Sequence, residues 1–360
     1  MNKRVLIFSF AYYPYVGGAE VAIKEITDRL PGIVFDLITF NLGDEKAEDR
    51  IGNVNVYRIK TFTKYLYPIK SFFKGMSLHR ANKYDAVWAM MANAGFPALF
   101  LKILFPKIKY VLSIQEGDPI PQIKRRVWFA YPIFVLVFKT ADKVAVLSNY
   151  LADFAKSMGS KMVEVIPNGV DLNKFRVKSF KVIKPEDKIV LVTTSRLVKK
   201  NAVGDIIRAL KFLPGNLIFK CVGSGPDERG LKSLVKELDL EARVEFIGHT
   251  EHSIMAEILR NSDIFIRPSL SEGLGSSFLE AMAVGLPIIA TNVGGIPDFL
   301  TDGETGLFCK VGDSEDVARK VMRLVQDSVL YSNISGNSIR LIKERYNWDD
   351  IAKKYEQFFT

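Results

Sequence analysis

Short runs of valine, isoleucine, leucine and aromatic residues recur along the chain, separated by stretches of helical spacing. The runs predict strands over residues 5–9, 34–39, 54–59, 86–89, 110–114, 144–147 and 163–166. A second set follows over 189–194, 217–222, 244–247, 264–266 and 288–291. Between them the apolar spacing turns helical, as at Val21, Ala22, Ile23 and Ile26. This alternation predicts doubly wound α/β architecture with parallel sheets. The first run follows two basic residues, as in a signal peptide, but it is short and leads directly into a turn. A buried first strand of a parallel sheet explains it better.

Between the two sets lies a turn-rich segment, residues 167–175 (PNGVDLNKF), followed by a basic, unpatterned stretch to Pro185. Asn168-Gly169 predicts a turn and the whole an interdomain linker. A chain of 360 residues is long enough for two domains, each with its own core. The expected division is 1–172, 173–345, and a C-terminal helix over 346–360. That helix is amphipathic through Trp348, Ile351, Tyr355, Phe358 and Phe359.

Composition narrows the class. Hydrophobic residues make up 48% of the chain and charged ones 25%, the balance of a globular protein. Two cysteines exclude a disulfide framework and a cysteine zinc site, which points to a reducing compartment. The longest apolar stretch, residues 127–138, is about half a bilayer span and holds Pro132, so no transmembrane helix is expected. The net charge of +10 is concentrated in the first half, where residues 51–84 and 86–115 hold no acidic residue and only Asp85 separates them. Residues 57–80 interleave six Lys and Arg with six aromatics. Such a patch suits nucleic acid or an anionic membrane surface. Its confinement to one half favours the lipid surface, through 57–80 and 124–139, and no nucleic-acid partner is expected.

The densest candidate chemistry lies in residues 268–283 (PSLSEGLGSSFLEAMA). Gly273, Leu274 and Gly275 read as a loop that lets backbone approach a ligand, and Ser276 or Ser277 as the cap of the next helix. Glu272 then precedes the helix N-terminus and Glu280 falls near the end of its first turn. Backbone N–H groups and the helix dipole between them suit a phosphate. An anion flanked by two carboxylates describes a sugar nucleotide, with one glutamate on sugar hydroxyls and the other on ribose.

Other loops carry weaker signals. Gly17 and Gly18 (YPYVGGAE, 13–20) follow the first strand and open a helix. Arg196 with Lys200 or Lys199 (TTSRLVKKN, 193–201) could grip a diphosphate and stabilise it as it leaves. Gly223 (VGSGP, 222–226) begins a fragment of a phosphate loop. His249 and His252 have no third residue at metal-ligand spacing, and no Asp-x-Asp occurs, so no metal is expected.

The 268–283 run resembles the donor-sugar motif of retaining glycosyltransferases of family 4, and the similarity extends from Gly17-Gly18 to the tail. The resemblance implies a GT-B fold: two Rossmann-like domains facing across a cleft, with the C-terminal helix crossing back to the first. It implies transfer of a hexose from a UDP- or GDP-linked donor to a glycan or lipid-linked acceptor, in cell-envelope polysaccharide or glycolipid synthesis. The nucleotide sugar is then a substrate and no separate cofactor is needed. Glu272, Arg196 and Lys200 become the catalytic residues; Gly17, Gly18, Gly223, Gly273, Leu274, Gly275 and Glu280 bind the donor. The first domain takes the acceptor, and the setting is cytoplasmic, peripheral at the inner face of the cell membrane.

Two departures stand out. The family often has a lysine where this chain has Asn201, so the role passes to Lys200, with Lys199 as alternative. Many relatives end the strand at 111–114 with a histidine where this chain has Gln115. Glutamine cannot take a proton near neutral pH. Glu116 or Asp118 could serve as base, or the departing phosphate oxygen could accept the proton itself. Three other functions fit parts of the pattern: a nucleotide-sugar epimerase of the same fold, a non-catalytic carbohydrate- or membrane-binding protein, and a nicotinamide dehydrogenase. The last lacks a complete Gly-x-Gly-x-x-Gly, since Gly223-Ser-Gly225 stops short and Gly230 comes too late.

Overall fold

A computed structural model of the chain describes residues 3–177 and 183–359. The middle of the predicted basic linker, 178–182, lies outside the described residues, as do the first two residues and Thr360. The chain forms two compact units: residues up to Asn168 together with those from Trp348 onward, and Gly169–Asn347. The divisions expected from the sequence, 172/173 and 345/346, differ from these by a few residues.

The first unit is built on an eight-stranded sheet in the order β3-β4-β2-β1-β5-β6-β7-β8. Its strands are β1 (Lys3–Phe8), β2 (Ile33–Phe40), β3 (Glu48–Ile51), β4 (Val54–Ile59), β5 (Ala86–Met90), β6 (Lys109–Ile114), β7 (Lys143–Val146) and β8 (Val163–Val165). All pair in parallel except β3, which runs antiparallel to β4 at the edge. Helix α1 (Gly18–Asp28) follows β1; α2 (Tyr67–Asn82), α3 (Gly95–Leu104), α4 (Ile120–Arg126), α5 (Tyr131–Lys139) and α6 (Asn149–Ser157) complete the first stretch of chain.

The second unit holds a six-stranded sheet in the order β11-β10-β9-β12-β13-β14, parallel throughout. Its strands are β9 (Ile189–Thr194), β10 (Leu217–Val222), β11 (Val244–Gly248), β12 (Ile264–Arg267), β13 (Ile288–Thr291) and β14 (Leu307–Cys309). Helices α7 (Val203–Ala209), α8 (Glu228–Glu237), α9 (His252–Arg260), α10 (Ser276–Ala283), α11 (Ser314–Gln326) and α12 (Ser328–Arg345) cover it. Strand order reverses between β1 and β5 in one sheet and between β9 and β12 in the other. In open α/β sheets, ligands bind beyond the carboxyl ends of the strands at such reversals.

Helix α13 (Trp348–Phe359) returns to the first unit, where it packs beside α1. Tyr355 and Phe359 lie 5.1 and 5.3 Å from the Trp88 ring, and the Tyr355 hydroxyl meets Ser113 Oγ at 3.0 Å. Each such aromatic, taken fully out of water, contributes about 1.5–3 kcal/mol. Arg29, the residue that caps the end of α1, secures the other end through Asp349 at 2.7 Å. Cys221 and Cys309 stand in separate strands, free and buried, and burial pushes each thiol up to about 12.

On the outside of the first unit the amphipathic pattern leaves much apolar surface uncovered. Phe62, Tyr65, Ile69, Phe73, Trp128 and Phe129 are all more than half exposed. Among the described residues no helix is long and apolar enough to cross a membrane.

Candidate functional site

The carboxyl ends of β9 and β12 meet at the reversal in the second sheet, and both carry polar side chains. From β9 come Thr193 and Thr194, then Ser195; from β12 come Arg267 and, after Pro268, Ser269. Five of their polar atoms are buried with no hydrogen-bond partner among the described residues: Thr193 Oγ1, Thr194 Oγ1, Ser195 Oγ, Ser269 Oγ and Arg267 Nε. Buried polar groups are nearly always paired, so a cluster of orphans marks a place built for a polar ligand or water.

Arg267 organises this place. Its guanidinium donates to Glu272 Oε2 at 2.8 Å, to Ser277 Oγ at 2.7 Å and to the Thr194 carbonyl at 3.4 Å. Its face lies 4.1 Å from the centroid of the Phe278 ring. Burial lowers its pKa, while the charges of Glu272 and Glu280 oppose that shift. The apolar run that predicts this strand ends at residue 266, so the arginine is not among the expected site residues. A lone basic residue closing an apolar strand directly before the loop was the available signal.

Glu272 is held on both oxygens, since Oε1 accepts the N–H of Gly273 at 3.0 Å. The expected serine cap does not form. Gly275 is the N-cap of α10, at φ +84°, and Ser277 is drawn to Arg267 instead. A Cβ on Gly275 would lie 2.4 Å from the arginine Nη2, so the arginine's position demands glycine there. Leu274 is buried, so its side chain packs and only its backbone could meet a ligand.

Glu280, the fifth residue of α10, meets His252 Nε2 at 2.7 Å. The other ring nitrogen, Nδ1, lies 2.9 Å from Lys174 Nζ. In the sequence His252 stands beside His249 without a third residue at metal-ligand spacing and Lys174 lies in the linker, so neither position signals a contact with Glu280. Among the described residues no three His, Cys, Asp or Glu side chains are grouped to hold a metal ion.

The loop after β9 joins the same region. Arg196 is exposed, and its carbonyl is clasped by the Asn201 side chain at 2.6 Å. Lys200 is half-buried and Lys199 exposed. The Lys200 carbonyl accepts the N–H of Leu270 at 2.6 Å, which ties this turn to the Glu272 loop. Gly223 lies alongside at φ +128°, and a Cβ there would fall 2.0 Å from the Ser195 carbonyl oxygen. The fold thus brings Arg196, Lys200, Gly223, Gly273, Gly275, Glu272 and Glu280 to one end of one sheet.

The remaining candidates lie at the carboxyl ends of β1 and β6 in the first unit. Gly17 is the N-cap of α1, and its N–H is taken by the carboxylate of Glu20 at 2.8 Å. Gln115 exchanges two hydrogen bonds with Asn168, at 3.2 and 3.1 Å. Glu116 turns inward: Oε1 accepts the Ala92 N–H at 3.0 Å, Oε2 is buried and unpartnered, and burial raises its pKa. Asp118 pairs with Arg126 at 2.5 Å.

Similarity to known proteins identifies the family. Residues 16–174 match the family model described as Glycosyltransferase Family 4, and residues 174–341 match Glycosyl transferases group 1. The chain is 31% identical to N-acetyl-alpha-D-glucosaminyl L-malate synthase of Bacillus anthracis, over 96% of this chain and 94% of that protein. It is 28% identical to an uncharacterised glycosyltransferase of Methanocaldococcus jannaschii, over 99% and 98%. Among solved structures, sucrose-phosphate synthase from Thermosynechococcus elongatus superposes with a TM-score of 0.86 at 19% identity, covering 99% of this chain and 98% of that one. HepE of Anabaena, in complex with UDP and glucose, superposes with a TM-score of 0.81 at 19% identity over the same shares. With both family models matched in series and a full-length relative above 30% identity, the chain belongs to the family 4 glycosyltransferases of GT-B fold.

Proposed function

We propose that this glycosyltransferase moves a hexose, with retention of configuration, from a nucleoside-diphosphate donor to a glycan or lipid-linked acceptor. The observation that carries the proposal is the buried, partly orphaned polar cluster at the β9/β12 reversal, flanked by Glu272 and Glu280. HepE's complex with UDP and glucose supports UDP as the donor's nucleotide.

In this reading Glu272, pinned by Arg267 and Gly273, holds hexose hydroxyls, and Glu280 holds the ribose. Arg196 and Lys200 meet the diphosphate and stabilise the charge it gains as the glycosidic bond breaks, without a metal. The α10 N-terminus adds its dipole. The residues before the linker take the acceptor. Gln115 has no titrating proton and is occupied by Asn168, and Glu116 is engaged by Ala92. In this reading the departing phosphate oxygen, on the same face of the sugar, takes the acceptor's proton; the unpartnered Oε2 of Glu116 is the alternative base.

Thermal unfolding of the wild type and Glu280→Ala with UDP, GDP, NAD and no ligand tests the donor site. A nucleotide at a hundred times its dissociation constant stabilises by about 2.7 kcal/mol, a shift of several degrees. The expected result is a shift with UDP or GDP that the substitution removes. A shift with NAD alone, or none, would sink the reading.

The first unit carries the second part of the proposal, docking on an anionic lipid surface. Exposed Phe62, Tyr65, Phe73, Trp128 and Phe129 are interleaved with Lys60, Lys64, Lys70, Lys74 and Arg125. Each cation near such a surface contributes about 1 kcal/mol, and aromatic rings settle at the interface. The chain supplies its own probe, because Trp128 is 75% exposed while Trp88 and Trp348 are buried. Phosphatidylglycerol vesicles should shift the tryptophan emission to the blue, and neutral phosphatidylcholine or high salt should not. An unchanged spectrum, or one insensitive to lipid charge, would count against docking through this face.

A further inference from the structure

His252 is engaged at both ring nitrogens, and the identity of the partners determines where its proton lies. The Lys174 ammonium has donors and no acceptor, so Nδ1, 2.9 Å away, must accept. The ring proton then sits on Nε2, which donates to Glu280 Oε1 at 2.7 Å. An imidazolium would set N–H against N–H at Lys174. The ring is held in place by Phe175, at 5.4 Å between centroids, and Phe175 is buried.

The backbone around Lys174 is equally fixed. Asp171 Oδ1 accepts the N–H groups of Asn173 and Lys174, at 2.9 and 3.3 Å. Arg260, closing α9, donates to the Lys174 carbonyl at 3.1 Å, while His252 opens the same helix. The turn and the helix therefore hold the lysine and the histidine in register with each other.

We propose that His252 is a positioning residue for Glu280, and that Lys174 sets the tautomer that lets it act. The relay holds the carboxylate in one orientation before a nucleotide arrives, so that binding need not order it. Its consequence for binding rests on the reading that Glu280 takes the ribose. The relay also gives the second half of the turn at 167–175 a task beyond joining two units.

Two measurements test this separately. The first uses the ligand-free protein: long-range ¹⁵N–¹H correlation of the three histidines, with His252 assigned from its loss in His252→Gln. The expected signal is the Nε2–H tautomer in the wild type, with that preference lost in Lys174→Met. An imidazolium or an Nδ1–H tautomer at His252 in the wild type would overturn the relay. The second compares binding of UDP and 2′,3′-dideoxy-UDP by calorimetry, or of the GDP pair if GDP is the stabilising nucleotide. His252→Ala should weaken the ribonucleotide about tenfold, the scale of one charge-assisted hydrogen bond, and leave the dideoxy form nearly unchanged. Glutamine, whose amide can accept from Lys174 and donate to Glu280, should restore most of the loss. Equal weakening of both nucleotides, or no rescue by glutamine, would reduce His252 to a packing role and overturn the proposal. Equal binding of both nucleotides by the wild type would instead remove ribose from Glu280, a failure of the donor-site reading, while the ring proton still decides the relay.

Discussion

Arg267→Met is expected to lower stability by about 3–5 kcal/mol, because it strands the Glu272 carboxylate in a buried site without its counter-charge. Glu272 is 12% exposed and Arg267 6%, so water cannot replace the lost partner. The substitution also removes the guanidinium from the face of Phe278, worth about 0.5–2 kcal/mol more. For a protein of 360 residues the melting temperature should fall by about 5–9 °C. The double substitution Arg267→Met with Glu272→Leu should recover much of the stability, since replacing a whole buried ion pair by apolar groups is often neutral. On the proposed role of Glu272 in holding the hexose, it should recover no transfer activity. Thermal unfolding of the two variants checks this. A single substitution that shifts the midpoint by less than about 2 °C would mean that the pair is solvated and that Arg267 does not organise the site.

Gly223→Ala is expected to be nearly as damaging, for a different reason. The residue's φ of +128° is a conformation that side-chain-bearing residues rarely adopt, at a cost of about 1–3 kcal/mol. The added Cβ would also lie 2.0 Å from the Ser195 carbonyl oxygen, which is backbone and cannot rotate away. Overpacking of that kind adds about 1–3 kcal/mol. The loop from Ser195 to Leu197 is stitched to this glycine turn by Ser195 N–H to the Val222 carbonyl and Leu197 N–H to the Ser224 carbonyl, at 3.0 and 2.9 Å. Relief of the clash must therefore move the backbone that carries Arg196. Nucleotide affinity should fall along with stability, whereas Gly215→Ala, which meets nothing within 4 Å, serves as the control. A Gly223→Ala protein with wild-type melting and nucleotide binding would show that the two loops are not rigidly coupled.

These two positions also show how unevenly the molecule can be read from its sequence. The twelve expected strands are present; most are apolar runs buried in a parallel sheet, and the half-exposed β8 and β11 still carry the β-branched and aromatic residues that make such runs conspicuous. Strand β3 escaped because its residues, Glu-Asp-Arg-Ile, are polar and largely exposed at an edge, held by pairing to β4 rather than by burial. Strand β14 is three residues long and leaves too little pattern to detect. At the site, Glu272, Glu280 and the glycines were visible because they are close in sequence. Arg267 was not, since its burial depends on Glu272 and Phe278 folding back over it. The partners of His252 lie 78 and 28 residues away, at Lys174 and Glu280, and periodicity carries no trace of them. The serine cap failed for a related reason: the local preference of Ser277 for the helix backbone lost to a charged donor brought by tertiary structure.

The return of α13 has a consequence for how the protein is made. The second unit is a continuous stretch, Gly169–Asn347, and can close its core as soon as it leaves the ribosome. The first unit is synthesised earlier yet must wait. Until residues 348–359 emerge, Trp88 lacks the Tyr355 and Phe359 rings that cover it, and α1 lacks the partner of Arg29. The half of the molecule that is translated first is thus the half completed last. A nascent chain stalled before Trp348 would display a folded second unit and an open, apolar first one, a natural client for chaperones.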